Sequence, residues 1–464
     1  MKHDAHGWWI AEAGAPAPVP ALSGEIDADV VVVGGGYTGL WTAWEIAEAE
    51  PNARVVVLEA ERCGMGPSGR NGGFLSSLWL YLPLLREQYG EARSRELCEA
   101  SVESVQAVGA WCEAQEVDAW YREAPHLVVS CAPGQDGAGA GAITGDDVVA
   151  LTEAETRAVC DSPVFRTGVA TRAGATVHPA RLAFGLRERL LGRGVRIFEG
   201  SPVRALRSDR GHPDAPGAVV AETRAGGRVR AGAAVVAVNG ATGRLKRLRN
   251  RLTVSSSHIV LTEPVPDVIE ALGWTGGEAI TDGRALLHYF RTTRDGRILY
   301  GWGGGRMAAG ARTGGRMDVD PDIVAETERS LHRTFPALAG RRIEHAWGGP
   351  IDVSPTHLPA IVTLSGGRAW AAFGYTGNGV GPSHLAARSL ASLALGRRDA
   401  AARWAWIDPP PKVVPPEPFR VAGATVLRAA LARSEAIAEA GGRSDPLTEA
   451  LAALPAKLGL HIVR

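Results

Sequence analysis

Asp27-Ala28-Asp29-Val30-Val31-Val32-Val33-Gly34-Gly35-Gly36-Tyr37-Thr38-Gly39-Leu40 is the stretch that decides the fold. Four consecutive valines read as a parallel strand buried on both faces. The strand runs straight into Gly34-x-Gly36-x-x-Gly39, and Leu40 to Ala47 continues with helical spacing. Gly34 allows the tight turn, Gly36 lets backbone approach a pyrophosphate, and Gly39 lets the helix lie against the strand. The helix N-terminus, with Tyr37 and Thr38 in its first turn, then faces the phosphates. A second strand, Arg54 to Leu58, ends at Glu59-Ala60, and Glu59 stands twenty residues past Gly39. That is where a carboxylate meets the adenosine ribose. Strand, loop, helix, strand and acid in register predict an adenine dinucleotide site.

Two further glycine clusters point to a flavin. Glu61 to Phe74 is glycine-rich and includes Ser68-Gly69-Arg70-Asn71-Gly72-Gly73. A second backbone nest so close to the ribose acid suits a cofactor that extends beyond its pyrophosphate. The third cluster, Gly374-Tyr375-Thr376-Gly377-Asn378-Gly379-Val380-Gly381, precedes the helical run Ser383 to Leu390. A helix starting there aims its positive end at the electron-rich edge of an isoalloxazine ring.

Together these segments resemble the FAD-dependent amine and amino-acid oxidoreductases of the D-amino-acid oxidase superfamily. Ser68 to Gly73 and the tail Pro415-Pro416-Glu417-Pro418-Phe419-Arg420 look most like its γ-glutamylputrescine oxidoreductase branch. The resemblance runs from about Asp27 to Arg420. It implies that Val203, in Ser201-Pro202-Val203, lies on the adenine side, that Asn239 and Gly240 end the returning strand, and that Gly348, in Trp347-Gly348-Gly349-Pro350, lies over the flavin. Some members tether FAD through a cysteine near the C-terminal cluster or a histidine in the first glycine-rich loop. Pro350 to Leu358 holds no cysteine here, and Ser68 to Gly73 carries Arg70 and Asn71, so non-covalent FAD is expected. Certain oxidases carry an oxygen-activating lysine on a strand resembling Arg297 to Gly301, which here has none.

The alternation of patterns predicts a mixed α/β chain whose Rossmann-type FAD-binding domain is interrupted by an antiparallel-sheet substrate domain. The expected FAD-binding segments are 22–90, 171–245 and 340–400. The substrate domain takes 91–170 and 246–339, and 401–464 forms a Pro-rich linker and helical tail. Gly134 to Gly145 reads as a Gly/Ala-rich loop, and Gly303 to Arg312 as a mobile surface loop. The tail helix, near Val421 to Ala440, is expected to pack back on the protein or on a second copy in a homodimer, with a membrane-surface helix as the alternative.

Composition adds exclusions. The 50 basic and 50 acidic residues cancel, so no attraction to nucleic acid or anionic membrane is implied. Five cysteines without CxxC spacing argue against a disulfide framework, a zinc site or a dithiol redox centre, and no metal is expected. No apolar run approaches membrane length, and a cytoplasmic protein is the expectation.

The chemistry implied is hydride loss from a carbon bearing a neutral amine in a small amine or amino-acid substrate, giving an imine that hydrolyses. O2, yielding H2O2, is the expected electron acceptor. A dehydrogenase with another acceptor, or a flavin-binding protein without amine turnover, are the alternatives. No strong base is required, so the candidates are residues that shape a pocket: His288, Tyr289, Tyr300, Trp302, Trp347 and Asp352. Strand alternation leaves open which way each of His258 and His288 points. His357, near Asp352, is a further candidate contact for an ammonium or carboxylate.

Overall fold

A computed structural model describes residues 1–3, 6–136, 148–209 and 217–457. The Gly/Ala-rich stretch expected to form a loop lies, from residue 137, outside the described residues.

The first sheet is built on the valine runs. Its parallel strands stand in the order Arg196–Phe198, Val55–Leu58, Glu25–Val33, Arg228–Val236 and Ala369–Phe373. The chain moves outward from Glu25–Val33 on one side, then returns to its other side, so the order reverses beside the strand that carries the first glycine loop. Ligands of open α/β sheets bind at the carboxyl ends of strands at such a reversal. Val31 and Val56 pack on one face, Val30, Val32 and Val57 on the other. That two-sided burial is why these strands read as continuous apolar runs. An antiparallel excursion, Val203–Asp209 and Ala218–Thr223, leads into Arg228–Val236.

Helix Tyr37–Ala49 is buried along nearly its whole length because helices cover it too. Trp41 meets Trp111 edge-on at 5.0 Å, and Trp111 belongs to helix Glu91–Ala114. That helix, expected in the interrupting segment, therefore joins the core of the first sheet, since its apolar stripe of Leu97, Val105, Val108 and Trp111 needs that cover.

The second sheet has nine strands among the described residues and includes Thr253–Thr262, Ala279–Asp282, His288–Thr292, Ile298–Trp302 and Ile343–Val353. Ile343–Val353 pairs antiparallel with Thr253–Thr262 over ten positions, although it falls within the expected 340–400 flavin segment. Its Trp347-Gly348-Gly349 stretch thus belongs to the second sheet. Gly303 to Met307, expected to be mobile, is packed instead. Ser256 N–H donates to the Arg306 carbonyl at 2.9 Å, and a Cβ at Gly305 would collide with the Ser256 carbonyl.

The tail packs back on the same chain. In helix Phe419–Glu439, Arg428 donates to the Gly304 carbonyl at 2.5 Å. Glu435 accepts the Ala285 N–H at 2.5 Å, and Glu439 pairs with Arg284. Among the described residues no helix is long and apolar enough to cross a membrane.

One buried ion pair braces the flank of the first sheet. Arg187 grips Glu199 with two hydrogen bonds, at 2.9 and 3.0 Å, and the carboxylate also accepts the N–H groups of Cys63 and Val19. Burial pushes this carboxyl upward, but Arg187 and the backbone donors outweigh it and hold it below the usual range. Glu199→Ala should cost about 1.5–3 kcal/mol in denaturant unfolding, because it removes charge-assisted hydrogen bonds from Arg187, which keeps Glu188 and the Ala17 carbonyl. Because the folded pKa is depressed, the pair's contribution is complete above the unfolded value of about 4.3 and fades as pH falls through the folded one. The variant's stability should therefore depend less on acid than that of the parent.

Candidate functional site

The first glycine loop has no room for side chains where backbone meets backbone. Gly34 sits at φ +112°, and a Cβ on it would strike the Ala237 carbonyl. A Cβ on Gly39 would strike the Gly34 carbonyl, so the helix is pulled onto the loop. Gly36 precedes the helix in extended conformation, and no side chain caps that helix. Gly36 adds no side chain at this N-terminus, where a pyrophosphate cradle needs backbone within reach of an anion. The Tyr37 N–H reaches only the Ser68 hydroxyl, at 2.9 Å.

Glu59 is half-buried at the end of the second strand. One carboxylate oxygen accepts the Gly35 N–H at 2.7 Å and the other the Glu61 N–H at 2.8 Å. Burial raises its pKa, opposed by these backbone donors. A carboxylate so fixed keeps spare lone pairs for two ribose hydroxyls. Ala60 follows, exposed. Ser201 N–H holds the Glu59 carbonyl at 2.7 Å, which brings Val203 to the same strand ends.

Asn71 shapes the second loop. Its amide donates to the carbonyls of Pro67 and Ser68 at 3.1 and 2.8 Å, and its oxygen accepts the Gly73 N–H at 2.7 Å. Gly73 is left-handed at φ +74°, and a Cβ there would collide with the Val177 carbonyl. Arg70 pairs with Asp318 at 3.0 Å, while its carbonyl accepts the Trp347 indole N–H at 2.8 Å.

The third cluster is braced from below. Asp352 is 1 % exposed; it accepts the Gly374 N–H at 2.5 Å and meets the Asn239 amide at 3.4 Å. Burial raises this carboxyl to about 7. Asn239, left-handed at φ +47°, accepts the Gly240 N–H at 2.5 Å. Asp352 thus ties the returning strand's loop to the glycine cluster and is closed off from solvent. Gly377 is left-handed with open space around its Cβ position, and Asn378 N–H closes a turn onto the Tyr375 carbonyl at 2.9 Å. Gly379 starts helix Val380–Ala394, which also lacks a side-chain cap. Thr38 and Tyr375 join through their hydroxyls at 2.9 Å, so the first and third clusters touch.

The second sheet presents two unlike faces. Ser257, Ile259, Tyr289, Arg291, Leu299 and Trp347 share the near face, toward the glycine loops. The Tyr289 ring lies 3.1 Å from where a Gly72 Cβ would stand, and its hydroxyl meets the Ser257 hydroxyl at 2.7 Å. Burial pushes its pKa well up, so it stays protonated. Phe74 meets Tyr289 edge-on at 5.9 Å.

His288, Tyr300 and Trp302 occupy the far face, away from the glycine loops, which corrects the expectation that they shape the pocket. Tyr300 stacks on Phe290 at 5.1 Å and hydrogen-bonds Thr334 of helix Pro321–Thr334 at 2.9 Å. His288 Nδ1 contacts Asp282 at 2.7 Å, and burial lowers its pKa. Arg428 of the tail helix lies over Trp302. His258 is also on that face, against Gly348; it is Gly349 that faces Ser257 across the pair, with open space on its near side. His357 stacks on Tyr81 at 5.9 Å.

Sequence reasoning missed Phe74, Ser257 and Arg291. It also missed His126, whose ring contacts Ser76 at 2.8 Å and Phe74 edge-on at 5.5 Å. Phe74 follows directly on the second nest, and its position was the available signal.

With this geometry in view, the comparisons with known proteins agree. The DAO family, FAD dependent oxidoreductase, matches residues 29–393. The chain belongs to this family. It is an FAD-dependent oxidoreductase, and the residues that would hold the cofactor are Glu59 at the ribose, the Gly34–Gly39 loop with its helix at the pyrophosphate, and Gly72 with the helix after Gly379 at the ring. The chain is 30% identical over 405 residues to γ-glutamylputrescine oxidoreductase of Escherichia coli (strain K12), covering 85% of this chain and 90% of that one. Glycine oxidase from Bacillus cereus ATCC 14579 shares the fold at a TM-score of 0.64 and 19% identity, over 80% of this chain and 96% of that one. L-proline dehydrogenase from P. horikoshii shares it at 0.63 and 16%, over 82% and 96%.

Glu59→Ala should weaken FAD binding about ten- to a hundredfold in titrations of apo-protein, since charge-assisted hydrogen bonds contribute about 1.5–3 kcal/mol each. Turnover at saturating FAD should stay near that of the parent.

Proposed function

We propose that this chain oxidises a C–N bond of a small amine or amino acid at the junction of the Gly72–Gly73 nest and the near face of the second sheet. The observation that carries the reading is the character of that face, where Tyr289 and Phe74 turn aromatic rings to the Gly72 loop and the Trp347 indole is tied to the Arg70 carbonyl. Bound FAD supplies the two-electron acceptor for the hydride that leaves the carbon bearing the nitrogen. The chain's own residues orient that carbon and keep water away. Phe74 and Tyr289 wall the space, and Ser257 fixes the Tyr289 ring through its hydroxyl. The protonated Tyr289 offers no base, and a neutral amine needs none, because its lone pair assists hydride loss. The relative acting on γ-glutamylputrescine and the glycine oxidase fold neighbour support an amine or amino-acid substrate.

Non-covalent attachment is part of the reading, because Ser68 to Gly73 and Pro350 to Leu358 hold neither histidine nor cysteine near the ring, His357 being stacked on Tyr81. O2 as acceptor, giving H2O2, is the first reading. An acceptor other than O2 is favoured by one observation: strand Ile298–Trp302 turns Leu299 and Gly301 to the near face, so no ammonium stands there.

A panel of primary and secondary amines and amino acids added anaerobically should bleach the flavin absorbance for at least one compound; no bleaching by any would contradict amine oxidation. Readmitting air should restore the colour with one H2O2 per substrate if O2 is the acceptor. Acid precipitation should leave the yellow colour in the supernatant, and a yellow pellet would show a covalent link.

A further inference from the structure

A cavity of about 840 Å³ lies between helix Glu91–Ala114, the short strand Arg122–Glu123 and the end of strand His288–Thr292, and it opens to solvent. None of the three glycine nests lines it, nor does Tyr289. Its charged lining is unusual in how it is left unpaired.

Arg291 forms part of the wall and is only 3 % exposed. Its Nε donates to the Thr292 carbonyl at 3.0 Å, and Nη1 donates to the Gly73 and Val177 carbonyls at 3.1 and 2.8 Å. The guanidinium lies 5.7 Å from the Trp9 ring centroid, but among the described residues Nη2 has no hydrogen-bond acceptor and no carboxylate pairs with the group. Burial, with the nearby charge of Arg122, lowers its pKa to about 9. Arg122, at the rim, donates to the Thr275 carbonyl at 2.7 Å and likewise has no acidic partner among the described residues.

Two acids line the same cavity without a cation. Glu113 makes no ion pair among the described residues, and Glu123 meets only the Tyr121 hydroxyl, at 3.5 Å. Elsewhere on the rim opposite charges do meet: Asp118 holds Arg294 at 3.0 Å and Arg181 at 3.3 Å. A buried guanidinium without a counter-charge is costly, and the fold keeps the nearby acids from supplying one. A ligand carrying both signs would complete both sets.

We propose that this cavity binds a small zwitterion of the α-amino-acid type, its carboxylate on Arg291 and Arg122 and its ammonium toward Glu113 and Glu123. The site is separate from the flavin pocket but joined to it, since the same Arg291 that takes the carboxylate also holds the Gly73 carbonyl of the second nest. An occupant therefore steadies the loop that cradles the flavin.

The test is calorimetric titration of the holoenzyme with 2-aminoisobutyrate, whose nitrogen-bearing carbon has no hydrogen and so cannot be oxidised. Isobutyrate and tert-butylammonium serve as single-charge probes. The expected result is saturable binding of 2-aminoisobutyrate, weaker binding of each single-charge probe, and a loss of affinity of about tenfold in Arg122→Gln and in Glu113→Gln, as the removal of one charge-assisted contact requires. Both positions are exposed, so both variants should fold and retain bound FAD. Absent binding at millimolar ligand, affinity unchanged in Arg122→Gln, or isobutyrate binding as tightly as the zwitterion would each overturn the proposal.

Discussion

Everything in this molecule depends on backbone touching backbone at the end of strand Glu25–Val33. Gly34 rests against the Ala237 carbonyl and Gly39 against the Gly34 carbonyl, with no space for a Cβ at either contact. That closeness sets the axis of helix Tyr37–Ala49, whose N-cap residue Gly36 offers no side chain to the first turn. From there contacts run outward to each further part of the cofactor site. Ser68 reaches the Tyr37 N–H, Glu59 reaches the Gly35 N–H, and Thr38 reaches Tyr375. Asp352 then locks the Asn239 loop beneath the third cluster. A larger residue at Gly34 or Gly39 would shift the helix and with it all of these contacts.

The second sheet divides structural work from chemistry by parity. Residues one apart along a strand face opposite sides. Tyr289 therefore meets the Gly72 loop and Leu299 packs in the cluster of Trp8, Trp9 and Trp347, while His288, Phe290 and Tyr300 face the side of helix Pro321–Thr334 and the tail helix. The far face carries its own polar network of Asp282, His288, Arg284, Glu435 and Glu439. Burial, with the charge of Asp282, raises the Glu435 carboxyl to about 7. This network fastens the tail to the sheet and lies on the side away from the flavin loops.

How legible each part was in the sequence follows from how local its cause is. The Gly34–Gly39 loop and Glu59 could be read because strand, turn, helix and acid are set by neighbouring residues at fixed spacing. Likewise helix Glu91–Ala114 and the strands around Tyr289 and Tyr300 carried clear periodicity. Alternation gives parity but not direction, so nothing local distinguished Tyr289 from His288 or Gly349 from Gly348. Asp352 looked like a ligand contact because its partners, Gly374 and Asn239, are remote in sequence. Trp8 and Trp9 pack against the second sheet's near face and Trp347, an association no short-range pattern announces. Arg291 was hidden for the same reason: its acceptors are the carbonyls of Gly73 and Val177, far along the chain.

The central claim is that three glycine clusters converge on one FAD whose reactive ring lies between the Gly72–Gly73 nest and Tyr289. A crystal structure of the FAD-loaded protein tests it most directly. The account predicts the adenosine ribose within hydrogen-bonding distance of Glu59, the pyrophosphate at the N–H groups of Gly36 to Thr38, and the isoalloxazine facing Tyr289 and Phe74. A ring found on the side of His288, Tyr300 and Trp302, or a ribose away from Glu59, would contradict it.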